Sequence, residues 1–211
     1  MNILVVKANN RPDGISSKMY DAFMQSVKGA ENAIVTTYDV FAEDMPYIGQ
    51  ELFDAFGKLQ NGAELIDVEK RLLAAKQKAK EAFAAADVVV IAFPLWNFTV
   101  PARLHTFIDY ICEAGFTFKY GADGNLVHLL ADKKVILLNA RGGVYSAPEM
   151  QPMEMAVNYM RAIFANMFGM EIIDEVIIEG HNANPAQAEE IVQAGLKRVA
   201  EAGAKLVYET V

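Results

Sequence analysis

Cysteine is nearly absent from this chain. Cys112 stands alone among 211 residues, so no intrachain disulfide framework can form, and a reducing compartment fits. Histidine occurs only at His105, His128 and His181, without metal-ligand spacing, and one cysteine cannot complete a zinc site. Positive charge is in the minority. With 19 Lys and Arg against 27 Asp and Glu, the net charge is −8, which argues against a general nucleic-acid binder. No apolar run approaches the roughly 20 residues of a membrane helix. The opening "NILVVK" also lacks the basic start and cleavage site of a signal peptide. The expectation is a cytoplasmic protein that engages neither membrane nor nucleic acid, with no metal site. The phosphate-binding P-loop, the G-x-G-x-x-G dinucleotide fingerprint and the G-x-S-x-G nucleophile elbow are missing too.

What is present is a chain with 53% hydrophobic residues, enough to bury the core of one ordinary domain over 1–211. A β-branched strand at 3–7 leads into turn residues and a helix opened by Ser16 and Ser17. Its apolar positions Met19, Ala22, Phe23 and Val27 fall at helical spacing, and Gly29 stops it. A second strand covers 33–40. Residues 41–62 form an irregular excursion with a helical turn near "ELFDAFGKL". An alanine-rich helix covers 64–86, with Glu69, Lys70, Lys76, Lys80 and Glu81 expected on its outer side. "DVVVIAF" (87–93) is continuously apolar, as strands buried on both faces are. Then come a helix at 102–113, a hairpin signal from "FTFKY" to "GADGN", a strand at 133–140 and a helix at 152–168. A strand at 170–180 and a helix at 185–208, with Asn184 as N-cap and Pro185 at its first position, close the chain. Strand and helix alternate five times. This predicts an α/β fold: a flavodoxin-like five-stranded parallel sheet in order 2-1-3-4-5, with helices on both faces.

In such a sheet, ligands bind beyond the carboxyl ends of the strands where the order reverses. The loops 8–17, 94–101 and 140–150 are therefore expected to converge. The first ends at a helix N-terminus, which favours an anion. Ser16 and Ser17 can add hydroxyls and Arg11 a charge, although on this loop alone Ser16 as a simple helix cap is the favoured reading. The second places Trp96, the chain's single tryptophan, with Asn97 and Phe98 between Pro94 and Pro101. The Asn97 amide suits the polar edge of a heterocycle and an aromatic its face; a hydrophobic plug or an oligomer contact is the alternative. The third carries Gly142-Gly143, where backbone N–H groups can approach a flat ligand closely, or which merely turns the chain. Arg141 reads more as a surface charge than as a ligand contact. His105 reads as a satisfied helix histidine, Cys112 as core, and the methionines of 150–170 mostly as core with room for a subunit interface.

"FPLWNFTVPARLHTFID", "AGFTFKY" and "NARGGVYS" together resemble the FMN-dependent NADH-azoreductases, a family of flavodoxin-like NADH:quinone reductases. The resemblance spans nearly the whole chain in family order. It implies one bound FMN per subunit, NADH or NADPH as donor, quinones and aromatic azo compounds as acceptors, and a homodimer with both active sites at the interface. It places Pro94, Leu95, Trp96, Asn97 and Phe98 and the block Ala140, Arg141, Gly142 and Gly143 against the flavin. Ser16 takes a family phosphate-loop serine's place. The other falls on Gly14, for which Ser17 is the substitute, and an earlier family serine aligns with Asn9. Tyr120 matches a tyrosine on the substrate side. No side chain is required as a general acid. The alternative reading is a non-enzymatic, flavodoxin-like electron carrier.

Overall fold

Every residue of the strand β3, Val88–Pro94, is buried, as its unbroken apolar run requires. The reason is its place at the centre of the sheet. In the computed structural model, which describes residues 1–209, β3 pairs in parallel with β1 (Asn2–Lys7) on one side and with β6 (Lys134–Arg141) on the other. Next to β1 lies β2 (Ile34–Asp39), and next to β6 lies β7 (Glu171–Glu179), both parallel. The sheet order is β2-β1-β3-β6-β7. With β6 and β7 as fourth and fifth units, this is the expected 2-1-3-4-5. The remaining strands, β4 (Phe118–Tyr120) and β5 (Leu126–His128), form the separate antiparallel hairpin that "GADGN" announces.

Side chains alternate between the two faces of the sheet. On one face, Val6, Ile91, Phe93 and Leu137 meet Phe83 of α3 (Asp67–Ala85), Leu104 and Phe107 of α4 (Ala102–Ile111), and Met160 of α5 (Ala156–Arg161). On the other, Val5, Val90, Ile136 and Leu138 meet Met19 and Phe23 of α1 (Ile15–Ser26) and Val192 and Val199 of α6 (Ala188–Ala204). One irregularity interrupts the ladder. Ile172 pairs with Val135, but the next β6 residue, Ile136, pairs with Asp174. The extra residue is a bulge that reverses which face the following side chains point to.

Four sequence expectations need correction. Glu69 and Lys76 do not face solvent: they are only 2% and 7% exposed. Glu69 accepts the Ile66 N–H at 2.9 Å and pairs with Lys58 of α2 (Gln50–Gln60) at 2.7 Å. Lys76 donates to the Tyr110 carbonyl at 2.7 Å and pairs with Glu113 at 2.9 Å. The segments that cover them come from elsewhere in the chain, so the local pattern could not show it. The helix expected over 102–113, α4, ends at Ile111, and Cys112 is its half-buried C-cap. Residues 152–168 are not one helix but a 3₁₀ turn, Gln151–Met153, then α5, then a π-helical turn, Ala162–Met167. Met160 and Met170 are core there, whereas Met153 and Met155 are exposed. Finally, the Asn184 side chain does not cap a helix. It donates to the Gly180 carbonyl at 3.3 Å, and Pro185 opens a 3₁₀ turn ahead of α6.

Candidate functional site

The carboxyl ends of β1, β3, β6 and β7 share one edge of the sheet, and a cavity of about 170 Å³ opens there. Asn9, Arg11, Gly14, Ile15 and Ser16 line it from the first loop. Pro94, Leu95 and Trp96 come from the loop after β3, Ala140 and Gly142 from the end of β6 and its loop, and His181 and Asn182 from the loop after β7. The three loops expected to converge therefore do so, and a fourth joins them.

The first loop is wired through asparagine. The Asn9 amide donates to Ser16 Oγ at 2.8 Å, and its Oδ1 accepts the Arg11 N–H at 2.9 Å. Ser16 is buried inside α1 and does not cap it; the N-cap is Gly14, which makes no side-chain cap bond. Because the Ser16 hydroxyl accepts from Asn9, its own proton remains available to a ligand. The helix also leaves its first N–H groups, at Ile15 and Ser16, without intrahelical acceptors. Ser17 is turned inward, its hydroxyl donating to the Arg11 carbonyl at 3.0 Å, and it does not line the cavity. A side chain at Gly14 would begin 2.3 Å from the Asn9 amide nitrogen. The long Asn9 side chain thus occupies the space that a serine at position 14 would need, which accounts for the departure from the expected serine.

The loop after β3 is a tight turn. Trp96 and Thr99 exchange N–H···O bonds of 2.9 and 3.0 Å, leaving Asn97 and Phe98 as the two central residues. Both have positive φ, 49° and 70°, as a type I′ turn demands. Asparagine accepts this conformation, but phenylalanine is strained in it. Leu95 N–H holds the turn to the Ala140 carbonyl at 2.9 Å, and the Phe98 carbonyl accepts the Met155 N–H at 2.9 Å. Trp96 meets Phe41 edge-on at 6.1 Å, and Phe98 meets Tyr145 at 6.3 Å. Asn97 and Phe98 are exposed and stand outside the cavity lining.

In the loop after β6, the Gly142 carbonyl accepts the N–H groups of Asn182 and Ala183 at 3.0 and 3.1 Å. A Cβ at Gly142 would fall 2.2 Å from the Asn182 amide nitrogen, so the glycine is what lets the two loops close on each other. Gly143 lies outside the lining. Arg141 is not a surface charge. It is 6% exposed and faces a neighbouring cleft, with Tyr145, Ser146 and Glu154. Tyr120 is 63% exposed on the β4–β5 hairpin and does not line the cavity. Reasoning from the sequence missed His181 and Asn182; the turn-rich "EGHNANP" after the last strand was the available signal. His181 Nδ1 is buried without a partner, and burial holds the ring's pKa below the ordinary histidine value. Among the described residues no group of three or more His, Cys, Asp or Glu is placed to hold a metal, and no helix is long and apolar enough to cross a membrane.

Residues 1–202 match the family model described as the flavodoxin-like fold. The chain belongs to that family. It is 44% identical over 206 residues to the FMN-dependent NADH:quinone oxidoreductase 1 of Bacillus subtilis (strain 168), covering 96% of this chain and 98% of that one. Among solved structures it is similar to an azoreductase from Bacillus anthracis str. Sterne, at 45% identity and TM-score 0.87, covering 97% of this chain and 99% of the other. A second is an FMN-dependent NADH-azoreductase from Bacillus anthracis str. Ames Ancestor in complex with FMN, at 28% identity and TM-score 0.87, covering 98% and 99%. This flavodoxin-like chain thus has its four convergent loops in a fold that one of these relatives uses to hold FMN.

Proposed function

We propose that the protein is an FMN-dependent NADH:quinone oxidoreductase with azoreductase activity, and that the cavity at the carboxyl edge of the sheet is its flavin site. The observation that carries this reading is the pairing of an anion cradle with a flat-ligand wall in one cavity. The cradle is Ser16, the free N–H groups of Ile15 and Ser16, and Arg11. It suits the FMN phosphate. The wall is Pro94, Leu95 and Trp96 on one side, with Ala140 and Gly142 on the other. The strained turn holds Asn97 and Phe98 at the rim, where an amide can meet the polar edge of the ring system. Backbone strain of this kind is kept where surrounding structure over-determines it, often at functional sites.

Bound FMN would supply the redox chemistry, two electrons per turn from NADH or NADPH to the acceptor, one turn for a quinone and two for an azo bond cleaved to amines. Donor and acceptor would use the same place in turn, in ping-pong order. The chain's own part is to bind and orient. The Asn97 amide and the N–H groups of Gly142 and Gly143 would face the ring's polar edge and favour negative charge there, fixed in place beforehand. Neutral His181, which burial discourages from protonation, adds a polar ring to the lining without a full charge.

The protein acts as a homodimer in this reading. Tyr120, exposed and outside the lining of its own cavity, would then face the substrate side of the partner's site. Trp96 would divide its faces between the flavin and the second subunit. Exposed Tyr47, Phe53, Leu59 and Ile66 supply apolar surface for such a contact. The decisive experiment titrates flavin-free protein with FMN, follows fluorescence quenching, and then measures anaerobic oxidation of NADH and NADPH with a quinone and an azo dye. Tight FMN binding and steady NADH-driven quinone reduction are expected. FMN binding with only sluggish reduction by NADH would favour the electron carrier instead, and absence of FMN binding would reject both.

A further inference from the structure

Arg141 immediately precedes the glycine pair, yet its guanidinium is buried between two carboxylates. Nε and Nη2 both reach Glu179 Oε2 at 2.9 Å, and Nη1 stands 3.5 Å from Glu154 Oε1. Each carboxylate also fastens backbone. Glu179 Oε2 accepts the N–H groups of Tyr145 at 3.0 Å and Ser146 at 3.2 Å, and Oε1 accepts the Ser146 hydroxyl. Glu154 accepts the N–H groups of Ala156, Val157 and Asn158 at 3.2, 2.8 and 3.2 Å, closing the N-terminus of α5. The Tyr145 ring lies between the Arg141 guanidinium, 5.8 Å away, and the Phe98 ring, 6.3 Å away. One buried cluster thus joins the ends of β6 and β7, the start of α5 and, through Tyr145 and Met155, the Asn97-Phe98 turn.

The cluster is also unbalanced. Two carboxylates face one guanidinium; Arg161, in the same cleft, also feels the Glu154 charge, but it pairs with Glu175, so those two together add no net charge. Burial pushes the Glu179 carboxyl up, but the Ser146 hydroxyl, the Arg141 charge and the two backbone N–H groups outweigh it, so it sits below the usual carboxylate range and is ionised at neutral pH.

We propose that the Glu154–Arg141–Glu179 triad positions the Gly142–Ser146 loop, and that its surplus negative charge lowers the reduction potential of the flavin held by that loop. The proposal rests on the flavin reading above. A nearby negative charge opposes the gain of negative charge on the reduced ring, and backbone donors favour that charge only if they are held in place. Glu154 and Glu179 touch no reacting atom; they act through Arg141 and the loop.

Three readouts test it on Glu179→Gln, Arg141→Lys and Ser146→Ala: amide hydrogen exchange over 142–146 in flavin-free protein, the FMN dissociation constant, and the flavin midpoint potential. Glu179→Gln should exchange faster and bind FMN on the order of tenfold more weakly, the effect of losing one charge-assisted hydrogen bond. Its potential should rise by the equivalent of about a tenfold change in the oxidised-to-reduced ratio, about 30 mV for a two-electron couple. Arg141→Lys and Ser146→Ala keep the charges, so both should exchange faster and leave the potential close to wild type. Wild-type exchange in Glu179→Gln and Ser146→Ala overturns the positioning role. A potential that stays or falls in Glu179→Gln overturns the tuning role. Wild-type protein that binds no FMN rejects the flavin reading and the tuning role with it, while the exchange data still decide the positioning role.

Discussion

Phe98→Gly sets strain against contact in the turn after β3. Phe98 sits at φ 70°, where a bulky L-residue costs about 1–2 kcal/mol. Glycine removes that cost but adds about 0.5–1 kcal/mol of backbone entropy. The ring is 36% exposed, so its loss forfeits roughly 1–2 kcal/mol of the burial that a fully enclosed phenylalanine provides. The gains and losses nearly cancel, leaving a net change between about −0.5 and +2 kcal/mol of cost. At about 2–4 °C per kcal/mol for a chain of this size, Tm should fall by no more than about 8 °C. Function should respond differently. If Phe98 forms the rim of the flavin and acceptor site, KM for the quinone should rise about tenfold or more with FMN still bound. Thermal melts and steady-state kinetics on one preparation give both numbers. A Tm loss beyond about 10 °C would show that the ring is a structural plug and the strain small. Unchanged kinetics would refute its place at the site.

Ser16→Ala removes a buried hydroxyl that accepts from Asn9 at 2.8 Å and, in the flavin reading, donates to the phosphate; FMN affinity should fall about tenfold with a stability loss near 1 kcal/mol, read by fluorescence titration and urea melts. Glu179 has a depressed pKa, so its stabilisation is present above the ordinary carboxylate pKa and is lost as pH falls through the lower folded value. Urea midpoints taken between about pH 6 and pH 3 should therefore drop more steeply in wild type than in Glu179→Gln. Lys76→Met leaves the Tyr110 carbonyl without its donor and should cost about 1–3 kcal/mol, measured by denaturant unfolding. Burial pushes the Cys112 thiol up, so it should react with a thiol reagent at pH 8 well below the rate of a free cysteine.

The sheet was legible because local and global demands agree in it. "DVVVIAF" reads as a strand buried on both faces, and five alternations of strand and helix leave few orders. The convergence of loops followed from that order, and Asn9, Ser16, Pro94, Leu95, Trp96, Ala140 and Gly142 all reach the cavity. What escaped depends on partners distant in the chain. Lys76 is polar and sits in a helix, and nothing near it announces Tyr110 and Glu113. Arg141 looks like any charged residue in a glycine loop until Glu154 and Glu179 enclose it. His181 follows the last strand, at an edge where the order 2-1-3-4-5 gives no reversal and hence no reason to look. The break of 151–167 into three helical types arises from packing, and no single residue in the run spells it out.

The bulge in β7 bears on which lengths of this strand the fold can accept. Ile172 lies on the α3–α5 face and Ile173 on the α1–α6 face, yet beyond Asp174 the even-numbered Val176 and Ile178 take the α1–α6 side. One residue is therefore supernumerary. Removing Ile173 would restore strict alternation without shifting Glu179 from its place opposite Arg141. Removing Asp174 or Glu175 would do the same, whereas closing the bulge around a gap at 177 or 178 would turn Val176 away from the α1–α6 face. The strand thus has its one spare residue at the bulge and none next to Glu179.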